Sequence, residues 1–329
     1  MKHLLMEFVK VTEKAAIASL EWIGRGDKIK ADGACTAAMR SQLNQIKMNG
    51  VIVIGEGEMD EAPMLYIGER VGTGEGPDID IAVDPLDGTN LVAKGQGNSI
   101  AVIAAAPRGK LLCAPDIYME KISVGPEAVG CIDLDVPVYE NLKNVAKAKN
   151  KRVSDLRVMV QERERHEYII DEIQRTGASV ILFSDVDVTA AIAPAISELN
   201  VDMFIGIGGA PEGVVAAVAL KGIGGELQGR LLPQDEKQYG RCLQMGLENP
   251  HKKLLMNDLI KTDDCIFVAT GITDGILLKG VHSTYSGKKV THSFLTYGGS
   301  KGYQFIQSFH HSPCLCFKSA IFVSLFVFS

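Results

Sequence analysis

The chain has 329 residues, 46% of them hydrophobic, and a formal net charge of −6. This length is typical of two domains or of one large α/β unit, and the hydrophobic content is enough to bury a sizeable core. The negative charge argues against a nucleic-acid partner and against an anionic membrane surface. An anionic ligand would therefore have to bind to local positive charges or to a metal.

Seven cysteines are scattered along the chain without CxxC spacing. This pattern is typical of reduced thiols and argues against a disulfide framework or a zinc site. The apolar run at the N-terminus is also too short for a signal peptide. We therefore expect a protein of the reducing cytoplasm.

Two helices are predicted at the start of the chain. Apolar residues recur at helical spacing over residues 4–23, and Gly24 is predicted to end the first helix. A polar loop that contains Lys28 and Asp32 follows, and a second helix is predicted to begin near Ala34. Taken alone, Asp32 is interpreted as the N-cap of that helix.

An acidic loop follows the first predicted strand. Residues 51–54 predict a buried strand, and four acids, including Glu56 and Asp60, lie in the loop behind it. Such a run usually forms a solvated loop. However, the same order of apolar strand, acids and proline recurs at residues 78–90, and strand ends that meet at one rim of a sheet commonly build the site of an α/β protein.

The second acidic stretch predicts a metal site. Residues 79–83 predict a strand that runs into Asp84, Pro85 and Asp87, and Pro85 together with Gly88 is predicted to end it and to turn the backbone. The two aspartates lie on either side of the proline, so one turn can point both carboxylates into a small volume, where like charges need a cation between them. Mg²⁺ or Mn²⁺ is expected because both prefer carboxylate oxygen and the stretch has no His or Cys. The alternative is an acidic turn that caps a helix or faces water.

A helix is predicted to begin directly after these acids. Gly88 and Thr89 supply backbone N–H groups and a hydroxyl of the kind that starts a helix. The N-terminal end of such a helix can bind phosphate. Further strands are predicted over residues 95–105 and 110–113, and a charged helix over residues 141–155.

Two later strands lead to charged groups. The strand predicted over residues 156–160 leads to Arg163 and Arg165, in a charged run of the kind that is usually solvated. The strand predicted around residues 180–184 leads to Asp185 and Asp187. For these two aspartates, simple N-capping of a helix and ligand binding both remain open.

A strand, a glycine loop and a helix are predicted over residues 203–217. Pro211 suits the first helical turn, and Gly209 would allow a phosphate to approach the backbone closely. Glu212 in that turn favours the helix dipole and can also reach a metal. A dinucleotide-binding fingerprint is excluded, because Pro211 stands where that motif needs glycine.

The end of the chain is predicted to differ from the rest. Residues 291–309 predict a closing hairpin, and residues 311–329 form an atypical apolar tail. Its last apolar run is shorter than the roughly 20 residues that span a bilayer. We do not expect a membrane anchor.

Several motifs in order resemble the class II fructose-1,6-bisphosphatases, the bacterial type that in some lineages also accepts sedoheptulose 1,7-bisphosphate. The Asp-Pro-x-Asp-Gly-Thr run also resembles the metal motif of Mg²⁺-dependent sugar-phosphate and inositol-phosphate phosphatases. The resemblance covers residues 5–309, and its motifs lie at residues 31–34, 52–64, 84–89, 114–121 and 206–214.

The resemblance implies a layered α/β fold, an αβαβα sandwich of the sugar-phosphatase type. It implies an N-terminal metal-binding subdomain over residues 1–153 and a C-terminal substrate-binding subdomain over residues 154–310, followed by the tail at 311–329. It further implies a cytoplasmic homo-oligomer, a dimer or tetramer, that acts on a small sugar bisphosphate. No nucleic-acid or membrane partner is expected.

The resemblance also implies roles for individual residues. The expected metal ligands are Asp32, Glu56, Asp84, Asp87 and Glu212. The expected catalytic residues are Asp60, Thr89 and Lys28. The expected substrate contacts are Asp87, Gly88, Thr89, Tyr118, Arg163, Arg165, Asp185, Asp187 and Gly209. One departure is Asp87, where this family commonly has glutamate, so the side chain is one methylene shorter.

The implied reaction is hydrolysis of the C1 phosphate of fructose 1,6-bisphosphate to fructose 6-phosphate, as in gluconeogenesis, with Mn²⁺ or Mg²⁺. Arg163 and Arg165 are expected to hold the second phosphate through charge-assisted hydrogen bonds. Two alternatives remain open at this point. One is a monophosphatase for inositol phosphates, and the other is a non-catalytic sugar-phosphate-binding relative.

Overall fold

The computed structural model describes residues 1–55 and 65–311. Its helices are α1 (Leu5–Ala18), α2 (Lys28–Leu43), α3 (Thr89–Lys94), α4 (Val138–Ala148), α5 (Glu167–Arg175), α6 (Asp187–Ile192), α7 (Ala210–Ile223), α8 (Glu236–Gln244) and α9 (Met256–Leu259). Its strands are β1 (Asn49–Ile54), β2 (Arg70–Val71), β3 (Asp78–Asp87), β4 (Ile100–Pro107), β5 (Tyr118–Val124), β6 (Arg157–Gln161), β7 (Ser179–Phe183), β8 (Met203–Gly209), β9 (Glu226–Leu232), β10 (Ile266–Gly271), β11 (His282–Ser283), β12 (Lys289–Tyr297) and β13 (Tyr303–His310).

Eight of the described strands form a large mixed sheet. Their order is β11–β12–β10–β4–β3–β1–β2, and β13 pairs with β12. Only β1 and β3 run parallel, and the other pairs among the described strands are antiparallel. The middle strands β4 and β10 are apolar and buried along almost their whole length, as expected for strands that are covered on both faces.

Five described strands form a smaller sheet, in the order β7–β6–β8–β5–β9. Strand β6 runs parallel to both β7 and β8, whereas β5 runs antiparallel to both β8 and β9. Because β5 pairs with β8 along its full length, Tyr118 lies opposite Gly209, at the end of β8 that precedes α7.

Helices cover both sheets and separate them. Helices α1 and α2 pack on one face of the large sheet through residues such as Phe8 and Met39. Helices α6 and α7 lie between the two sheets, and α7 is buried along nearly its whole surface. Helices α4 and α5 cover the outer face of the small sheet. This order of layers confirms the predicted αβαβα sandwich.

Several predicted boundaries were wrong. Helix α2 begins at Lys28, and its N-cap is Asp27, whose side chain accepts a hydrogen bond from the backbone N–H of Lys30 (3.1 Å). The N-cap interpretation of Asp32 was therefore wrong, because that residue lies inside the helix. Residues 110–113 contribute only an isolated bridge between Leu111 and Ile260. The predicted hairpin near the end is confirmed by the pairing of β12 with β13.

Each sheet takes strands from both sides of residue 153. Strand β5 precedes that residue and lies in the small sheet, whereas β10, β12 and β13 follow it and lie in the large sheet. The predicted boundary therefore does not separate the two sheets, and the division into subdomains 1–153 and 154–310 stays a prediction. Of the predicted tail, residues 312–329 lie outside the described residues. Within residues 1–55 and 65–311, no helix combines the length and the apolar character needed to cross a bilayer.

Candidate active site

The end of β3 places two carboxylates side by side. The strand continues through Pro85 as far as Asp87, and its register with β4 shifts between Asp84 and Asp87. The prediction that Pro85 ends the strand was therefore wrong: the proline, which has no N–H to donate, lies in an irregularity of the ladder. Oδ1 of Asp84 accepts a hydrogen bond from the backbone N–H of Leu86 (3.0 Å), which fixes this carboxylate at the bend.

The turn after β3 leads into the short helix α3. Gly88 is the N-cap and has φ of 90°, a left-handed conformation that glycine adopts without steric cost. Thr89 begins the helix, and its hydroxyl donates to the carbonyl of Leu86 (3.1 Å). The predicted helix start at Gly88 and Thr89 is confirmed.

The first turn of α7 brings a third carboxylate to the same place. Pro211 lies in that turn as predicted, and the N-cap is Gly209. A β-carbon at Gly209 would overlap Oε2 of Glu212. The Glu212 carboxylate lies over the backbone of Gly209, so a side chain at this position would have to displace it.

A cavity of about 520 Å³ lies between these elements. Its lining includes Lys28, Asp32, Asp84, Thr89 and Glu212, so the fold brings together five of the predicted site residues. Asp87 does not line the cavity and is buried at 8% exposure behind it. Ile54 and Gly55, which directly precede Glu56, also line the cavity. Glu56 and Asp60 themselves lie outside the described residues.

The carboxyl groups of Asp84, Asp87 and Glu212 are buried near one another, and this environment disfavours their charged forms. Burial raises the pKa of Asp84 to about 8, and the charge of Glu212 adds to the increase. Burial and then the charge of Asp187 raise the pKa of Glu212 to about 7, against the opposing effect of Lys121. Burial and the charge of Asp84 raise the pKa of Asp87 well above its ordinary value. The charged forms of these acids would therefore be stabilised by a nearby cation.

The chemistry of these acids fits a hard divalent cation. Oδ2 of Asp87 and Oε2 of Glu212 are buried without a hydrogen-bond partner among the described residues. Buried carboxylate oxygens in this state are costly, and coordination to Mg²⁺ or Mn²⁺ would satisfy them. Within the described ranges, no three His, Cys, Asp or Glu side chains are arranged as a complete metal-binding group. The described acids thus share one region without forming a closed coordination shell.

Asp187 is held by a residue that the sequence did not single out. Asp187 is the first residue of α6, and the N-cap is Val186, which has no capping side-chain hydrogen bond. The N-capping alternative for Asp187 was therefore wrong. Its carboxylate is ion-paired with the ammonium group of Lys121, which also donates to the carbonyl of Gly209 (2.8 Å). The sequence feature that could have indicated this contact is a lysine on the side of β5 that faces the protein interior.

The two arginines that were predicted to bind the second phosphate lie on the small-sheet side, where Arg165 contacts Tyr118. The Arg165 guanidinium lies 5.0 Å from the centre of the Tyr118 ring. It also donates to the carbonyl of Ile207 (3.0 Å) and to Oε1 of Gln161 (2.9 Å). Arg163 is exposed, and its guanidinium donates to the carbonyl of the neighbouring Glu162 (3.1 Å). Both arginines line a second, shallow cavity on the small-sheet side.

Two further residues near these groups were missed. His166 is fully buried; its Nδ1 lies 2.7 Å from the carbonyl of Gln161, and its Nε2 accepts from the N–H of Ile207 (2.8 Å). It therefore supports the backbone that Arg165 contacts. Asp116 lines the main cavity from the loop before β5. Its position depends on how that loop crosses between the sheets, which no local sequence pattern indicates.

The chain is similar to known proteins over nearly its full length. Residues 2–310 match the family model described as bacterial fructose-1,6-bisphosphatase, glpX-encoded. The chain is 47% identical over 323 residues to fructose-1,6-bisphosphatase 1 class 2 of Escherichia coli strain K12, a match that covers 94% of this chain and 96% of that protein. It is 45% identical over 323 residues to fructose-1,6-bisphosphatase class 2 of Haemophilus influenzae, with the same coverage.

Among solved structures, the extragenic suppressor protein suhB from Bartonella henselae has a TM-score of 0.34 and 14% identity, and the match covers 58% of this chain and 72% of that one. A similarity of this size supports no conclusion about function. The family match and the two relatives, by contrast, cover the strands and helices that form the cavity. The chain therefore belongs to the glpX-encoded bacterial fructose-1,6-bisphosphatases, a family of metal-dependent phosphatases.

Proposed function

We propose that this chain is a phosphomonoesterase that hydrolyses the C1 phosphate ester of fructose 1,6-bisphosphate and releases fructose 6-phosphate and phosphate. The observation that carries the proposal is the cavity of about 520 Å³ on which Asp32, Asp84, Thr89 and Glu212 converge from separate parts of the chain. Family membership favours this reaction over the inositol-phosphate alternative. Activity on sedoheptulose 1,7-bisphosphate is a further proposal.

Asp32, Asp84, Asp87 and Glu212, together with Glu56, are the residues that would hold divalent cations, Mn²⁺ or Mg²⁺. The unpartnered buried oxygens of Asp87 and Glu212 support this assignment. When bound, such cations stabilise charge on the phosphate and make a bound water more acidic. Since Asp87 is shorter than the glutamate common in the family, metal spacing or metal preference is expected to differ from that of relatives.

The chain's own residues would position the reacting phosphate. Lys28 contributes positive charge to the cavity wall from the first turn of α2. The backbone N–H groups of Gly88 and Thr89, where α3 begins, would donate hydrogen bonds to the phosphate oxygens. The hydroxyl of Thr89 is fixed by its bond to Leu86 and would orient the attacking water, with Asp60 as the group that takes its proton.

The second phosphate would bind on the small-sheet side. Tyr118 lies opposite Gly209 on the neighbouring strand and also stacks with Arg165, so it spans the distance between the metal side and the arginines. Arg163 and Arg165 would bind the distal phosphate. Asp185, Asp187 and the backbone of Gly209 would contact the sugar between the two phosphates.

We further propose a cytoplasmic homo-oligomer, a dimer or tetramer. The cysteines Cys113, Cys131, Cys242 and Cys265 form no disulfide in the part of the chain that the structure describes, which is compatible with a reducing compartment. Sedimentation analysis of the purified protein tests the subunit number, and a monomer at micromolar concentration would contradict the proposal.

A substrate panel tests the proposed function. Purified protein is assayed for phosphate release with Mn²⁺ and with Mg²⁺ from fructose 1,6-bisphosphate, sedoheptulose 1,7-bisphosphate, fructose 6-phosphate and an inositol monophosphate. We expect the fructose bisphosphate to be a good substrate and ³¹P NMR to identify fructose 6-phosphate as the product. Higher activity on the inositol phosphate would support the inositol monophosphatase instead. Binding without turnover under every metal condition would identify a non-catalytic relative.

A further inference from the structure

Lys121 is a buried lysine on the inner side of the small sheet. Its side chain is 1% exposed, and it lies on β5 between the inward-facing residues Met119 and Ser123. Its ammonium group is ion-paired with Asp187 and donates to the carbonyl of Gly209 (2.8 Å). Burying an ammonium group is costly unless it is paired and hydrogen-bonded, and the two partners offset that cost.

Two glycines, Gly208 and Gly213, lie next to the Lys121 side chain. A β-carbon at Gly208 would lie 2.0 Å from Oδ2 of Asp187 and 3.0 Å from Nζ of Lys121, and one at Gly213 would lie 2.6 Å from Sδ of Met119 and 3.0 Å from Cδ of Lys121. Glycines at the end of β8 and in the first half of α7 therefore leave space for the ion pair of Lys121 with Asp187 and for the neighbouring Met119. This fit leaves the ammonium group little freedom to move relative to its two partners.

The two partners of Lys121 belong to different parts of the proposed site. Asp187 begins α6, and Gly209 is the N-cap of α7, the helix whose first turn carries Glu212. The negative charges of Asp187 and Glu212 act on each other. One cation between α6 and the start of α7 thus holds together two helices whose acids repel.

We propose that Lys121 is a positioning residue that fixes the Asp187 carboxylate and the Gly209 carbonyl relative to each other. It thereby sets the distance between the sugar-contacting acid on α6 and the metal-side turn of α7. This inference rests on the proposed function, in which Asp187 contacts the sugar. Lys121 does not touch the substrate itself.

A merely structural ion pair would behave differently. Lys149 provides the comparison, because it pairs with the buried Asp202 (2.8 Å) and is 15% exposed, but lines a cavity other than the proposed active site. Replacing Lys149 with methionine is expected to lower the thermal stability without changing the Michaelis constant. Replacing Lys121 with methionine is expected to change both.

The test measures KM and kcat for fructose 1,6-bisphosphate at saturating metal, and the binding of fructose 6-phosphate by calorimetry. We expect Lys121→Met to raise KM and the product dissociation constant about tenfold, the size of one misplaced charge-assisted hydrogen bond, while kcat falls less. Lys149→Met should keep the wild-type values. Equal KM values in both variants, with stability lowered in both, would overturn the proposal.

A double-mutant cycle with Asp187→Asn tests whether Lys121 acts through Asp187. If it does, the variant with both K121M and D187N should have the KM of D187N alone, within about twofold. Independent, additive effects would overturn the proposal. The double variant removes both charges together, so it gives the same comparison if Lys121→Met alone does not fold. If the wild-type protein fails to hydrolyse the bisphosphate, the proposed function is refuted. If the wild type is active and Lys121→Met has the same KM as the wild type, only this inference is refuted.

Discussion

The carboxylate of Glu212 lies over the α-carbon of Gly209, in the space that a β-carbon would occupy. The N-cap of α7 and the acid of its first turn are therefore one unit. Any side chain at residue 209 would have to displace this carboxylate. The position of Glu212 thus depends on the glycine three residues earlier.

Gly209→Ala should reduce kcat about a hundredfold, because displacement of a reacting or ligating group by about 1 Å costs a factor of that size. Gly240→Ala is the matched control, since Gly240 lies in α8 with open space around its α-carbon. It should keep full activity and gain about 0.5–1 kcal/mol in the free energy of unfolding. Full activity in Gly209→Ala would contradict the assigned role of the turn.

Divalent metal should stabilise the protein against heat. Burial and neighbouring charges disfavour the charged forms of Asp84, Asp87 and Glu212, and a bound cation offsets both effects. Because such a cation binds the folded state, Mn²⁺ should add about 2.7 kcal/mol at a hundredfold excess over its dissociation constant. Thermal unfolding with and without Mn²⁺ checks this. The stabilisation should be lost in Asp84→Asn and kept in Asp202→Asn, which lies in a different cavity. Equal stabilisation of both variants would place the metal elsewhere.

Arg163→Ala should affect bisphosphates and spare stability. The Arg163 side chain is exposed and donates a hydrogen bond to the neighbouring carbonyl of Glu162, so we expect folding not to depend on it. KM for fructose 1,6-bisphosphate is expected to rise about tenfold, whereas hydrolysis of a C1 monophosphate should be unchanged. Arg152→Ala is the control, because Arg152 is an exposed arginine that pairs with Asp155 on the surface. A similar loss on both substrates would contradict a role in binding the second phosphate.

The pair of lysines on Asp202 should make part of the stability depend on pH. Burial alone would raise the pKa of Asp202, but hydrogen bonds from Lys149, Lys151 and the N–H of Arg157 outweigh it and hold the pKa below the ordinary 3.8. The folded state therefore favours the charged form. Its contribution is complete above about pH 5, and it is lost as the pH falls below 3.8 and through the lowered folded-state pKa.

Denaturant unfolding of wild type and Asp202→Asn at several pH values measures this effect. The wild type should be more stable at pH 6, and the difference should shrink steadily between pH 4 and pH 2. Asp171→Asn, at an exposed aspartate on α5, should show no such pH dependence. A constant difference across this range would mean that Asp202 stabilises the fold by packing and not by its charge.

Local sequence patterns predicted the parts of the site that depend on neighbouring residues. Gly88 and Thr89 begin a helix, and Pro211 and Glu212 lie in the first turn of another, because capping and backbone restrictions act over a few residues. Pro85 misled the prediction, since a proline inside a strand is tolerated where the ladder is irregular. Asp32 was misassigned because the helix begins at Lys28 with Asp27 as its N-cap, which places Asp32 in the helix interior.

The long-range parts could not be read from the sequence. Lys121 is one of several polar residues of β5, and its role emerges only when β5 is placed next to β8, which puts its ammonium group beside Gly209 and Asp187. The burial of His166 likewise depends on the backbone of Ile207, far away in the chain. Family resemblance supplied most of the residue roles. The layering of the two sheets supplied the contacts among them.

The interleaving of the sheets has a consequence for synthesis. Strand β3, which carries Asp84 and Asp87, is completed early, but its neighbour β4 gains its second partner only when β10 leaves the ribosome. Until then β4 is an open edge of apolar backbone, of the kind that pairs with other chains. A nascent chain stalled before residue 266 should therefore need chaperone protection, even though every described acid of the cavity has already been translated.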